Sequence, residues 1–300
     1  MEPNFTDSEH EDNIINLIEE KEIRKGKGPG EFSWLCNISY FEGKLYCCDG
    51  SKNTVEIFSD EFEYLDTIKI KGNYRMYSGQ TDLKKIGNYL YISPTFPSVI
   101  IKLDLKDSGV KNKVKSKEEE MTRMGMYNIG HFDCDKEFVY YIAKGREDIY
   151  TIEKYDKNLK RVWKREYNDG MVKKLSLKIV KFKNRFEANG APPSSSLIVD
   201  DSNIYNLRGV GGYKEWLVKD NKLTYENKEI KGLENGFVDV FDKTTGDFKY
   251  RIEGDFLKTD NDYMMKKKGD YFYFISYYKE NKENKPKAGT NVLYKAKIVD

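Results

Sequence analysis

The residues best suited to chemistry in this chain are two histidines, four cysteines and a few closely spaced carboxylates. His10 sits in the polar opening MEPNFTDSEHEDN, so His131 is the one histidine expected in the folded part. Zinc draws on several Cys and His ligands, with carboxylates as supplements. A histidine-based acid–base dyad fails for the same shortage. Cys36, Cys47, Cys48 and Cys134 lack the paired C-x-x-C spacing of a metal site. The expectation is therefore no catalytic histidine and no transition-metal site. Turn formation explains Asp133/Asp135 and Asp200/Asp201 better than convergence on a ligand does. Gly209-Val210-Gly211-Gly212 follows a strand pattern, as a phosphate loop would. No Lys-Ser/Thr follows it and no helix pattern opens there, so it reads as the start of a flexible loop. No Gly-x-Ser-x-Gly elbow occurs.

The cysteines leave two readings. Cys47 and Cys48 are adjacent on one strand, so their side chains should point to opposite faces. All four are then small buried hydrophobes. Alternatively, Cys36 and Cys47 bridge neighbouring strands, which requires an oxidising compartment.

The elements that would position these residues are strands. Residues 26–68 read GKGPGEFSWLCNISYFEGKLYCCDGSKNTVEIFSDEFEYLDTI. Runs near Tyr40, at Leu45–Cys48, at Val55–Phe58 and at Tyr64–Ile68 read as strands, Val55–Phe58 alternating as a half-buried strand does, with turn signals between them. Four short strands in about 40 residues describe one propeller blade. A hydrophobic-Tyr pair marks the second strand, at Leu45-Tyr46, Leu90-Tyr91, Val139-Tyr140, Ile204-Tyr205 and Phe272-Tyr273. The first three pairs are a blade-length apart, and the later ones are further apart. Five blades are visible, the last without its fourth strand. Residues 13–24, NIINLIEEKEIR, offer that strand and would close the ring and remove two exposed sheet edges. A short amphipathic helix is the other reading of that segment.

The motif GKGPGEF followed by LYCCDGSKNTVEIFSDEFEYLDTI resembles an NHL-type repeat, as found in bacterial, TolB-like six-bladed β-propellers. The resemblance is good over this blade and weaker elsewhere. It implies an all-β propeller of six four-stranded blades, where the visible count gives five. A sixth blade would lie within 168–195 or 209–237. The resemblance carries no single activity, because propellers host lyases, lactonases, scaffolds and receptors. Lactonase-like relatives imply a possible Ca²⁺ held by carboxylate and Asn oxygens in the central channel. The resembling family is commonly exported, and residues 1–12 resemble the polar tether after a lipoprotein cleavage site. An extracytoplasmic location, with the leader missing from this chain, is thus preferred to a cytoplasmic one.

Bulk properties fit this frame. The 52 basic and 50 acidic residues give a net charge of +2, which predicts no strong attraction to nucleic acid or acidic membranes. No apolar run approaches the roughly 20 residues of a membrane-spanning helix. The 23 Tyr and 16 Phe suit pleated, half-buried strands rather than disorder. Residues 1–12 read as a tail and 13–300 as one propeller domain.

Surplus residues at 168–195, 209–236 and 279–289 are read as one link between blades and two loops between second and third strands. All three belong on the same face of a propeller, and insertions gathered on one face mark a working surface. Aromatic and cationic residues fall there: Arg75, Tyr77, Arg123, Arg208, Tyr213 and Trp216. Arg and aromatics are the material of binding hot spots. The function expected is a non-catalytic scaffold, monomeric, that recognises a protein or glycan. A Ca²⁺-dependent hydrolase or lactonase and a structural cell-envelope protein are the alternatives.

Overall fold

The computed structural model describes residues 25–72, 74, 76, 81–94, 98–115, 130–144, 150–167, 178–183, 185–189, 196–208, 212–229, 235–258, 262–269, 271–277 and 291–297. The protein is a β-propeller. Its first sheet is β1 (Leu35–Phe41), β2 (Lys44–Asp49), β3 (Thr54–Ser59) and β4 (Tyr64–Lys69). The second is β5 (Leu83–Ile86), β6 (Tyr89–Ile92), β7 (Ser98–Asp104) and β8 (Val110–Lys115). The third is β9 (Gly130–Cys134), β10 (Phe138–Lys144), β11 (Tyr150–Asp156) and β12 (Arg161–Tyr167). A hairpin of β13 (Lys178–Phe182) and β14 (Arg185–Asn189) precedes the fourth sheet. That sheet takes β15 (Ser196–Val199), β16 (Asn203–Arg208), β19 (Asn235–Asp242) and β20 (Phe248–Lys258). A second hairpin, β17 (Gly212–Lys219) and β18 (Lys222–Glu229), is inserted between β16 and β19. The last sheet described is β21 (Asp262–Lys268), β22 (Tyr271–Tyr277) and β23 (Asn291–Lys297).

Every ladder is an antiparallel meander, and the first strands β1, β5, β9, β15 and β21 lie side by side in chain order. They form the centre, with each blade running outward from its first strand. The insertions read as a link between blades (168–195) and a loop between second and third strands (209–236) each contain a two-stranded hairpin. The proposed partner of β23, residues 13–24, lies outside the described residues. Among the described residues no helix is long and apolar enough to cross a membrane.

Turn chemistry repeats along the chain. Asp104, Asp156 and Asp242 end the third strands, and each accepts the amide two residues on through Oδ1, at 2.8–2.9 Å. Each third-to-fourth turn then has a residue in the left-handed region, at Phe62, Ser108, Leu159 and Gly246. A register shift follows in all four ladders, which is how a bulge strengthens the twist of a blade. Asp135 and Asp200 organise first-to-second turns, each accepting two backbone amides and the hydroxyl of a tyrosine five residues on. Their carboxylates also reach the next blade, at Lys243 (3.2 Å) and Lys267 (2.8 Å).

The core is a series of seams between neighbouring blades. Alternation along a strand sends the two residues of each hydrophobic-Tyr pair to opposite seams. Tyr46 and Cys48 pack forward onto Leu90, Ile92, Ile101 and Leu103. Tyr91 packs forward onto Val139 and Tyr141, and Tyr140 and Ile142 onto Ile204 and Phe241. Tyr205 and Leu207 pack onto Met265 and Phe272. The spaced pairs in the sequence are thus one seam residue for each neighbour. The four cysteines are free. Cys36 and Cys48 share the first seam while Cys47 lies outside it, so the Cys36–Cys47 bridge does not form. Burial pushes the Cys36 thiol up to about 11 and the Cys47 thiol up to about 12.

Candidate functional site

The two insertions meet. β13 and β14 lie against β17, which joins the link before the fourth blade to the loop inside it. The second hairpin is long and regular, and its two-residue turn, Asp220-Asn221, has both residues at positive φ (49° and 56°). That is the turn whose twist matches a hairpin, and Asp and Asn tolerate the left-handed region best after glycine. The register splits the hairpin into two faces. On one, Trp216 stands opposite Tyr225 and Val218 opposite Leu223. On the other, Lys219 stands opposite Lys222 and Glu215 opposite Glu226, with a Lys219–Glu226 ion pair at 2.6 Å. Val218 (47%) and Tyr225 (49%) are exposed on the apolar side.

Of the residues expected to bind, Arg75, Tyr77 and Arg123 lie outside the described residues. Arg208 ends β16, and Tyr213 and Trp216 lie three residues apart in β17, so the register puts the last two on opposite faces of the hairpin. The segment 279–289 also lies outside the described residues. Tyr225 and Val218 were missed. Their signal was the Asp-Asn turn between two alternating runs, which the glycines at 209–212 obscured.

A second cluster lies between the innermost strands of blades two and three. Asp82, one residue before β5, contacts His131 Nδ1 on β9 at 3.0 Å and accepts the Phe132 amide at 3.1 Å. Two residues along both strands, Lys84 Nζ meets Asp133 Oδ1 at 2.7 Å, and Asp133 Oδ2 accepts the Val199 amide at 2.8 Å. Asp133 is thus a strand residue tying three blades, not a turn residue, whereas Asp135 and Asp200 are turn-formers. Burial works against the charges of Asp82, Lys84 and His131, and the opposite charge outweighs it at each of the three. His131 is held above the ordinary histidine range by Asp82, and Asp82 below the carboxylate range by His131 and Lys84. Lys84 is held above the lysine range by Asp133. The cluster can therefore hold charge and clamp blades. Forty-nine residues separate Asp82 from His131, so no local pattern announces the pair. Among the described residues no three His, Cys, Asp or Glu side chains are grouped to hold a metal ion.

No protein-family model and no curated protein matches the chain. Solved structures are similar at low identity. A chain of the S. cerevisiae Dbp5 assembly bound to Nup159, Gle1, IP6 and ADP is 9% identical, with a TM-score of 0.43. The match covers 88% of this protein and 60% of that chain. Kluyveromyces lactis Hsv2 is 10% identical over 81% of this chain and 70% of its own, with a TM-score of 0.36. The β-propeller domain of Myceliophteria thermophila Cps50 (Swd1) is 11% identical over 85% and 94%, with a TM-score of 0.35. The propeller assignment rests on the four-stranded meanders themselves.

Proposed function

We propose that this propeller is a non-catalytic binding or scaffold module that recognises a protein or glycan through the face carrying the two inserted hairpins. One observation supports the reading above others. The β17–β18 hairpin is amphipathic, and its apolar side, with Val218 and Tyr225, is left exposed beside a second hairpin. Partly exposed aromatic residues on a rigid element, rimmed by charge, are the usual make-up of a hot spot. Arg75, Tyr77, Arg123, Arg208, Tyr213 and Trp216 belong to the same reading. So do six blades of the NHL type closed by residues 13–24, and an extracytoplasmic location.

A photo-crosslinking residue placed at Val218 tests the proposal against the same residue at Phe248 on an outer strand. Discrete adducts at Val218, absent at Phe248 and lost in Tyr225→Ser, are expected from native extract. A glycan panel probed with the same Tyr225→Ser variant covers the carbohydrate case. Equal labelling at both positions together with no glycan binding refutes the proposal.

A further inference from the structure

Blades two and three carry a lysine at the same place in the third strand, facing the next blade. Lys102 stands opposite Tyr91 and Lys154 opposite Tyr140. Both ammonium groups lie over aromatic rings, Lys102 at 3.8 Å from Tyr89 and Lys154 at 4.0 Å from Phe138. The next blade completes the first arrangement, since Lys102 Nζ donates to Asn158 Oδ1 at 2.9 Å. Asn158 is two residues after Asp156, whose Oδ1 accepts its amide. In the following blade, the residue two after Asp242, bound in the same way, is Thr244. Among the described residues no carboxylate lies within 4.0 Å of Lys154 Nζ and no acceptor takes a hydrogen bond from it, although the residue is only 8% exposed.

A second donor beside it lacks an acceptor too. Trp163 is the register partner of Lys154 on β12, so both face blade four. Its indole Nε1 is buried without a hydrogen bond. Lys243, a cation that acts on Lys154, is held by Asp135 at 3.2 Å. Burial pushes the Lys154 ammonium below the ordinary lysine range, and Lys243 adds to this against the opposing charges of Asp135, Asp242 and Glu137. A buried ammonium that no acceptor touches and a buried N–H without an acceptor are both costly, and one acceptor between them relieves both.

We propose that the seam between blades three and four binds a small anion, a halide or a carboxylate, through Lys154 Nζ and Trp163 Nε1. The anion takes the part that Asn158 plays one seam earlier. Chloride, acetate and phosphate are titrated into the full-length protein at constant ionic strength, with a bulky sulfonate as the balancing salt. The expected result is a saturable rise in the melting midpoint of a few degrees with chloride or acetate, accompanied by a change in tryptophan emission that Trp163→Phe abolishes. Lys154→Met should lose the anion dependence and still fold, because an apolar residue replaces a buried ammonium that has no direct ion-pair partner. Thr244→Asn should also lose it, by supplying the acceptor from within the chain. The proposal falls if the wild type shows no saturable response to chloride or acetate. It falls equally if Lys154→Met or Thr244→Asn keeps that response.

Discussion

Replacing Lys52 with Met should destabilise the first blade through the carboxylate of Glu56, four residues further on. Lys52 Nζ bonds Glu56 Oε1 at 2.6 Å and donates to the carbonyls of Gly28 and Glu31 at 2.9 and 2.8 Å. The two side chains are 8% and 0% exposed, so the Gly-Pro-Gly loop is wrapped around a buried ion pair. Breaking a buried pair by removing one partner costs about 3–5 kcal/mol. Glu56 would still accept from Thr54, Thr67 and the Gly30 amide, which places the loss near the low end, about 3 kcal/mol. For a chain of this size that corresponds to a fall of about 5–10 °C in Tm. Removing both charges, in Lys52→Met/Glu56→Leu, should recover much of the loss, because no uncompensated charge remains. Burial raises the Glu56 pKa, and the bonds from Lys52, Thr67, Thr54 and Gly30 bring it below the usual carboxylate range. The wild-type contribution is thus complete above the unfolded glutamate pKa and disappears as pH falls through the lower folded value. Urea unfolding of the single and double variants at neutral and acid pH measures all three quantities. A single variant within 1 kcal/mol of wild type, or a double variant as unstable as the single, would show that the pair does not hold the loop.

Other outcomes follow from the same geometry. Phe241→Ala, at a fully buried ring beside Tyr167 and Phe248, should cost about 3–5 kcal/mol in urea unfolding. Tyr225→Ser should leave the unfolding midpoint unchanged while lowering partner affinity by about 2 kcal/mol. The folded pKa of His131 is raised, so its contribution is complete below the unfolded histidine pKa and is lost as pH rises through the folded value. His131→Gln should remove that step from a plot of stability against pH. Burial raises the thiols of Cys36, Cys47, Cys48 and Cys134, so Ellman's reagent at pH 8 should react slowly until the protein is unfolded and then count four thiols.

The blades were legible because their signals are local. A hydrophobic-Tyr pair, a turn signal and an alternating run lie close together in the chain, as Leu45-Tyr46 and Val55–Phe58 do in β2 and β3. The fourth strand of blade two, Val110–Lys115, leaves a weak signal because VKNKVK carries three lysines and lies at the outer edge, where little packing dictates its composition. The hairpins were hidden for another reason. The residues of β13 and β14 form short mixed runs whose pairing depends on each other, and the glycines before β17 suggested a loop. The site was the least legible part. Asp82–His131 and Lys154–Trp163 are made by register and by the ring, so residues that carry no motif acquire their meaning only from the blade beside them.

The division of labour within each hydrophobic-Tyr pair has a consequence for synthesis. As the chain leaves the ribosome, a finished blade finds its predecessor already present and must wait for its successor. The side that docks at once carries Leu90, Val139, Ile204 and Phe272, which have nothing to offer water. The side that waits carries Tyr46, Tyr91, Tyr140 and Tyr205, whose hydroxyls can stay hydrated until the next blade arrives. At each stage of translation the waiting surface of the nascent protein therefore carries tyrosine hydroxyls among its aliphatic residues, such as Ile142 and Leu207.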